Sequence, residues 1–179
     1  VDFVEFSKIY RVSRPCIVTE KIDGTNASIC ITEDGQFLTG SRTRWITVTD
    51  DNYGFAKWAE AHKEELISKL GVGHHFGEWW GQGIQRNYGL KEKRFSLFNT
   101  SRWSDPMLRP ACCHVVPVLY EGMFNTEKIE ECISILRASG SIAAPGFLKP
   151  EGVVCYHIQG NFSLKKTLEK DEEHKGNRR

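Results

Sequence analysis

The distribution of apolar residues predicts an α+β domain built on largely antiparallel sheets with flanking helices. Short β-branched and aromatic runs outnumber helical stripes, two of those runs flank a hairpin signal, and two stretches repeat apolar residues at helical spacing. The first strand is expected over 16–22, ending at the turn pair Asp23-Gly24. Strands over 27–31 and 36–40 enclose Glu33-Asp34-Gly35, whose Asp-Gly pair marks a hairpin. Phe55, Trp58, Ala59, His62, Leu66 and Leu70 then form one helical stripe, with cap candidates at 50–52 and a stop at Gly71. Strands follow at 76–80, 94–98 and 115–120, and 99–110 reads as a loop. Ile129, Cys132, Ile133 and Leu136 form a second stripe between Thr126 and Gly140, and 153–158 is the last strand read directly from alternation.

Length and composition narrow the function classes. At 179 residues the chain is one domain, expected over 1–167, followed by a charged, frayed tail over 168–179. With 40% hydrophobic and 26% charged residues, it is neither disordered nor fibrous. A net charge of +1 implies no global attraction to polyanions, so any nucleic-acid contact must come from a local basic groove. The cysteines Cys16, Cys30, Cys112, Cys113, Cys132 and Cys155 have neither metal-ligand spacing nor the density of a secreted scaffold. His74-His75 has no third ligand spaced for zinc. No long apolar run or leader pattern is present, so a soluble, intracellular, cytoplasmic protein without membrane contact is expected. The opening valine suggests an excised or processed piece with residues missing at both ends.

Six segments carry chemistry. Thr19-Glu20-Lys21-Ile22-Asp23-Gly24-Thr25-Asn26 sets a lysine between acidic residues at a strand end, where it is either a solvated lysine before a turn or a nucleophile. Ser41-Arg42-Thr43-Arg44 offers guanidiniums suited to phosphate. His75-Phe76-Gly77-Glu78-Trp79-Trp80-Gly81 places a carboxylate among aromatics, able to accept from a sugar hydroxyl, with one tryptophan expected in the core and one toward a cleft. Arg94-Phe95-Ser96-Leu97-Phe98-Asn99 alternates like a half-buried strand, with an aromatic able to stack on a purine. Lys149-Pro150-Glu151-Gly152-Val153-Val154 puts a carboxylate where magnesium can be held, and Phe162-Ser163-Leu164-Lys165-Lys166-Thr167 supplies ammonium groups for a triphosphate. No P-loop and no dinucleotide glycine fingerprint occurs.

In this order the segments resemble the signature of the covalent nucleotidyltransferase superfamily, most closely the ATP-dependent RNA ligase family and its phage type 2 branch. The resemblance runs from about Lys8 to Thr167. It implies the nucleotidyltransferase (ATP-grasp-like) domain of ligases and capping enzymes, using ATP with Mg2+ or Mn2+ on RNA ends, including nicked duplex. Carried over by residue, Lys21 is the nucleophile that takes AMP, and Arg42 contacts phosphate or the ribose side. Glu78 accepts from the ribose and Phe98 stacks on adenine. Glu151 organises the metal and Lys165 contacts the α-phosphate. Glu20, Asp23 and Asn26 support the nucleotide, with Asp23 either orienting the lysine or binding hydrated magnesium. A cationic cluster of Arg42, Lys165 and metal would favour the neutral amine and stabilise charge on the transferred phosphate.

Two departures stand out. Lys165 and Lys166 are adjacent where the family usually separates two lysines by one residue, and strand alternation lets one of them face the site. Asn99 stands where an aspartate is common. The resemblance also implies a further C-terminal domain that grips nucleic acid. The alternatives are a DNA ligase, a GTP-dependent capping guanylyltransferase, or a nucleotide- or nucleic-acid-binding module without catalysis. Lys21→Ala and Lys21→Arg are predicted to abolish adenylylation, read as loss of an AMP-sized mass gain, and an adduct on another residue would refute the assignment.

Overall fold

The computed structural model describes residues 1–172. In chain order the strands are β1 (Pro15–Lys21), β2 (Thr25–Ile31), β3 (Phe37–Gly40), β4 (Trp45–Ile46), β5 (Gly73–Gly81), β6 (Lys93–Leu97), β7 (His114–Val115), β8 (Val118–Met123), β9 (Gly152–His157) and β10 (Phe162–Thr167). The helices are α1 (Phe55–Ala61), α2 (Lys63–Leu70), α3 (Thr100–Trp103) and α4 (Thr126–Ser139). One sheet has the order β10-β9-β1-β8 and the other β4-β3-β2-β5-β6-β7. All pairings are antiparallel except β6 with β7. No helix among the described residues is long and apolar enough to cross a membrane.

Alternation along each strand decides which residues meet solvent and which meet helices. In the four-stranded sheet, Cys16, Val18, Val153 and Cys155 turn toward Cys132, Ile133 and Leu136 of α4 and form one core. Ile17, Thr19 and Lys21 therefore face the other way. In the six-stranded sheet, Ala27, Ile29, Trp79, Phe95 and Leu97 pack with Phe55, Leu66 and Leu70 of α1 and α2. Asn26, Ser28, Phe76 and Glu78 face away from those helices. The two sheets present these remaining faces to one cleft, closed at one end by Ile22, Trp80, Tyr88, Val116 and Ala144.

Several expectations are revised. The first helical stripe is two helices, broken at His62 (φ −111°, ψ 13°), whose ring donates from Nδ1 to the Trp58 carbonyl at 2.8 Å. The expected loop 99–110 contains α3, capped by Asn99 Oδ1 accepting from Arg102 N at 3.2 Å. Both Trp79 and Trp80 are buried, because Tyr88 covers the cleft-side ring edge-on at 5.1 Å. Leu168 packs on the α4 core and its N–H donates to the Glu151 carbonyl at 2.9 Å, so the expected tail begins as anchored chain. The part of that tail beyond 172 lies outside the described residues.

Gly77 sits where β2, β5 and β6 pack closely, and a Cβ there would run into the Ser96 carbonyl and the Phe95 ring. Gly77→Ala is expected to cost about 1–3 kcal/mol by overpacking, measured as a lower midpoint of denaturation.

Candidate active site

Lys21 ends β1 on the cleft side, opposite Gly152 in the β1–β9 register. Glu151 directly precedes that partner, which brings its carboxylate to the lysine: Nζ donates to Glu151 Oε2 at 2.8 Å. Glu151 is 1% exposed and the lysine side chain 19%, so the pair closes the inner end of the cleft. A buried carboxylate beside a partly accessible amine holds that amine in one place, since either charge alone would be costly there.

The chain after Lys21 crosses to the second sheet through 22–24 and is held at each step. Asp23 N donates to Tyr88 Oη at 2.7 Å. Arg86 Nε donates to Asp23 Oδ2 at 2.9 Å, and the same guanidinium donates to the Lys149 carbonyl at 3.0 Å. Gly24 N donates to Glu78 Oε1 at 3.0 Å, and Asn26 Nδ2 to Glu78 Oε2 at 3.2 Å. Gly24 is required by space, because a Cβ would collide with the Trp79 carbonyl. Burial pushes the Tyr88 phenol well above its ordinary range, so it stays neutral and available as an acceptor.

Glu78 and Asn26 face each other across β2 and β5, and together with Lys21 and Phe98 they line a cavity of about 650 Å³. Val154, Tyr156 and Ser163 form its wall on the other sheet. Phe98, 41% exposed, is fixed by its N–H donating to the Phe76 carbonyl at 3.0 Å. In the β10–β9–β1 register Lys165 lies beside Val154 and Thr19, on the cleft side. Lys166 takes the opposite face and pairs with Glu130 of α4 at 2.7 Å.

Glu20 and Arg42 are placed differently from expectation. The Glu20 carboxylate points to the α4 side of its sheet, accepting from Ser141 Oγ at 2.6 Å and from Ile142 N and Ala143 N at 2.8 and 2.9 Å. It therefore anchors a turn, because strand alternation sets it opposite to Lys21. The Asp23 carboxylate accepts from Arg86 at the turn that follows Lys21. Arg42 stands exposed on the 41–44 turn, outside the cavity lining. Tyr88, Arg86 and Ser141 were not singled out by local pattern, and their partners lie 63 to 121 residues away.

Other reactive groups have structural settings. Burial raises the Cys16, Cys132 and Cys155 thiols, the last to about 12, which leaves them protonated. Burial lowers His75, whose Nε2 donates to the Gly71 carbonyl at 2.9 Å. Among the described residues no group of three or more His, Cys, Asp or Glu is arranged to hold a metal alone. Tyr88→Phe leaves the buried Asp23 N–H without its acceptor and is expected to cost roughly 1–3 kcal/mol, read from thermal denaturation.

The RNA ligase family model matches residues 14–168. No curated protein sequence matches the chain. Among solved structures, a Naegleria gruberi RNA ligase variant with AMP and Mn is 22% identical, with a TM-score of 0.66, over 91% of this chain and 53% of that one. A variant of the same enzyme with ATP and Mn is 22% identical, with a TM-score of 0.64, over 88% of this chain and 51% of that one. The enzyme with PPi is 23% identical, with a TM-score of 0.64, over 90% and 53%. The chain thus spans about half the length of these structures, which share its mixed architecture of antiparallel-dominated sheets. With its fold matched in this way and its family model covering nearly the whole sequence, the chain belongs to the RNA ligase family.

Proposed function

We propose that residues 1–167 form the adenylyltransferase unit of an ATP-dependent RNA ligase. In this reading Lys21 becomes lysyl-AMP, AMP passes to an RNA 5′-phosphate, and a 3′-hydroxyl displaces it to join the strands. The observation that carries it is one cavity of about 650 Å³ with Lys21 at its inner end, 2.8 Å from Glu151, and Glu78 and Phe98 on the facing sheet. The solved neighbours with ATP or AMP and Mn support the choice of nucleotide and cation. Six free cysteines fit a reducing intracellular compartment.

In the first step the Nζ ammonium gives up one proton to solvent, its lone pair forms a bond to the α-phosphorus as the bond to the pyrophosphate oxygen breaks, and a second proton leaves to solvent, so that the phosphoramidate keeps one N–H. Glu151 holds the amine at the cleft end, while the Glu78 carboxylate, braced by Gly24 and Asn26, faces the ribose side. Phe98 offers its ring to the base, and Lys165, on the cleft face of β10, supplies positive charge toward phosphate. The donor set fits a hard cation: one buried carboxylate at the lysine suits Mg2+ or Mn2+, which take one or two carboxylates together with substrate phosphates. Glu151 would hold it, and when bound the cation supplies neutralisation of charge on the phosphates.

Intact mass after incubation with ATP and Mg2+ or Mn2+ tests this reading. An AMP-sized gain that disappears in Lys21→Ala is expected, and Glu151→Gln is expected to slow its formation on the order of 100-fold. A gain with GTP instead would favour a capping guanylyltransferase, and ATP bound without any adduct would favour a non-catalytic binding module.

A further inference from the structure

The cavity continues past Phe98 to Phe76 and His74, and the same sheet face runs on beyond them. Pairings of Ser28 with Phe76, Ser28 with Gly40, and Gly40 with Trp45 put these residues in one cross-strand row with their side chains on one face. Large rings end the row and the smallest residues occupy its middle. A Cβ at Gly40 would meet Ser28 Oγ at 2.6 Å and the Trp45 ring at 3.4 Å, so the glycine lets the indole lie over the strand. Trp45 is nonetheless 53% exposed and Phe76 58%. His74 bridges them, its ring centroid 6.4 Å from that of Trp45 and 6.1 Å from that of Phe76, the latter pair within 15° of parallel.

Rings left in water beside a polar cleft mark an interaction surface. The 41–44 turn adjoining Trp45 adds Arg42 and Arg44, the latter paired with exposed Asp50 at 2.8 Å. Among the described residues no ion pair involves Arg42. Exposed rings that stack on any base, next to guanidiniums that follow phosphates, are the composition of a single-strand binding surface. Paired bases cannot use it, because their faces are already stacked.

We propose that this face is a stacking platform for unpaired bases of the RNA strand being joined, which makes the substrate a single-stranded end. The proposal rests on reading the adjoining cavity as the adenylate site of an RNA ligase. Fluorescence anisotropy with the whole chain, comparing a labelled single-stranded RNA oligonucleotide with its blunt duplex, tests it. Trp45→Ala is expected to weaken single-strand binding about fivefold or more, and Trp45→Ala with Phe76→Ala about 20-fold or more, while duplex binding moves less than about twofold. Trp45→Tyr keeps a stacking ring and is expected to restore most of the affinity. Trp45→Ala is expected to form the AMP adduct at the wild-type rate, separating the platform from the nucleotide site. Unchanged single-strand binding, an equal loss for the duplex, or no rescue by tyrosine would overturn the platform. A wild-type chain that forms no adduct would instead overturn the adenylylation reading, and the binding comparison would still decide the platform.

Discussion

The cleft depends on how the chain passes from one sheet to the other at 22–24. Three residues carry it from the end of β1 to the start of β2, and hydrogen bonds accepted by Tyr88 and Glu78 and donated by Arg86 fix that passage. Because Lys21 is the last residue of β1, the same bonds determine where its amine stands. The bracing loop shows local strain: Gln85, Asn87 and Tyr88 have φ values of 45°, 64° and 55°. Left-handed backbone at a residue as bulky as tyrosine persists only where its surroundings over-determine it. Here the Tyr88 ring packs against Trp80 at 5.1 Å and Phe147 at 4.6 Å.

Two independent hydrophobic cores lie on the outer sides of the sheets, so cleft residues are released from core packing and can be polar. Glu78 illustrates the result. It is 8% exposed, yet both carboxylate oxygens receive hydrogen bonds from the chain just beyond Lys21. Glu78 and the chain that follows Lys21 are consequently joined directly by hydrogen bonds.

Much of this was legible in the sequence where periodicity is strong. The strands bearing Lys21 and Glu78, and the one that leads into Phe98, follow from alternation, and so does the rule that only one of Lys165 and Lys166 can face the cleft. Which one does so depends on register with β9, a long-range fact that local pattern does not hold. Glu20 shows the converse. Its adjacency to Lys21 suggested a shared site, while the period of two sends the carboxylate to the opposite face. The break at His62 and the cap at Asn99 escaped because each depends on a side chain competing for backbone groups. Arg86, Tyr88 and Ser141 escaped because loop residues gain meaning only from partners distant in sequence.

The hydrogen bond from Leu168 N to the Glu151 carbonyl ties the chain leaving β10 to the residue that grips the lysine. Thr167, one position earlier, is paired with Gly152, one position after that glutamate. Strand exit and the carboxylate-bearing residue are thus joined through adjacent backbone positions. The chain leaving β10 is therefore coupled through one hydrogen bond to the backbone of the residue that positions the Lys21 amine, so strand exit and lysine share one local geometry.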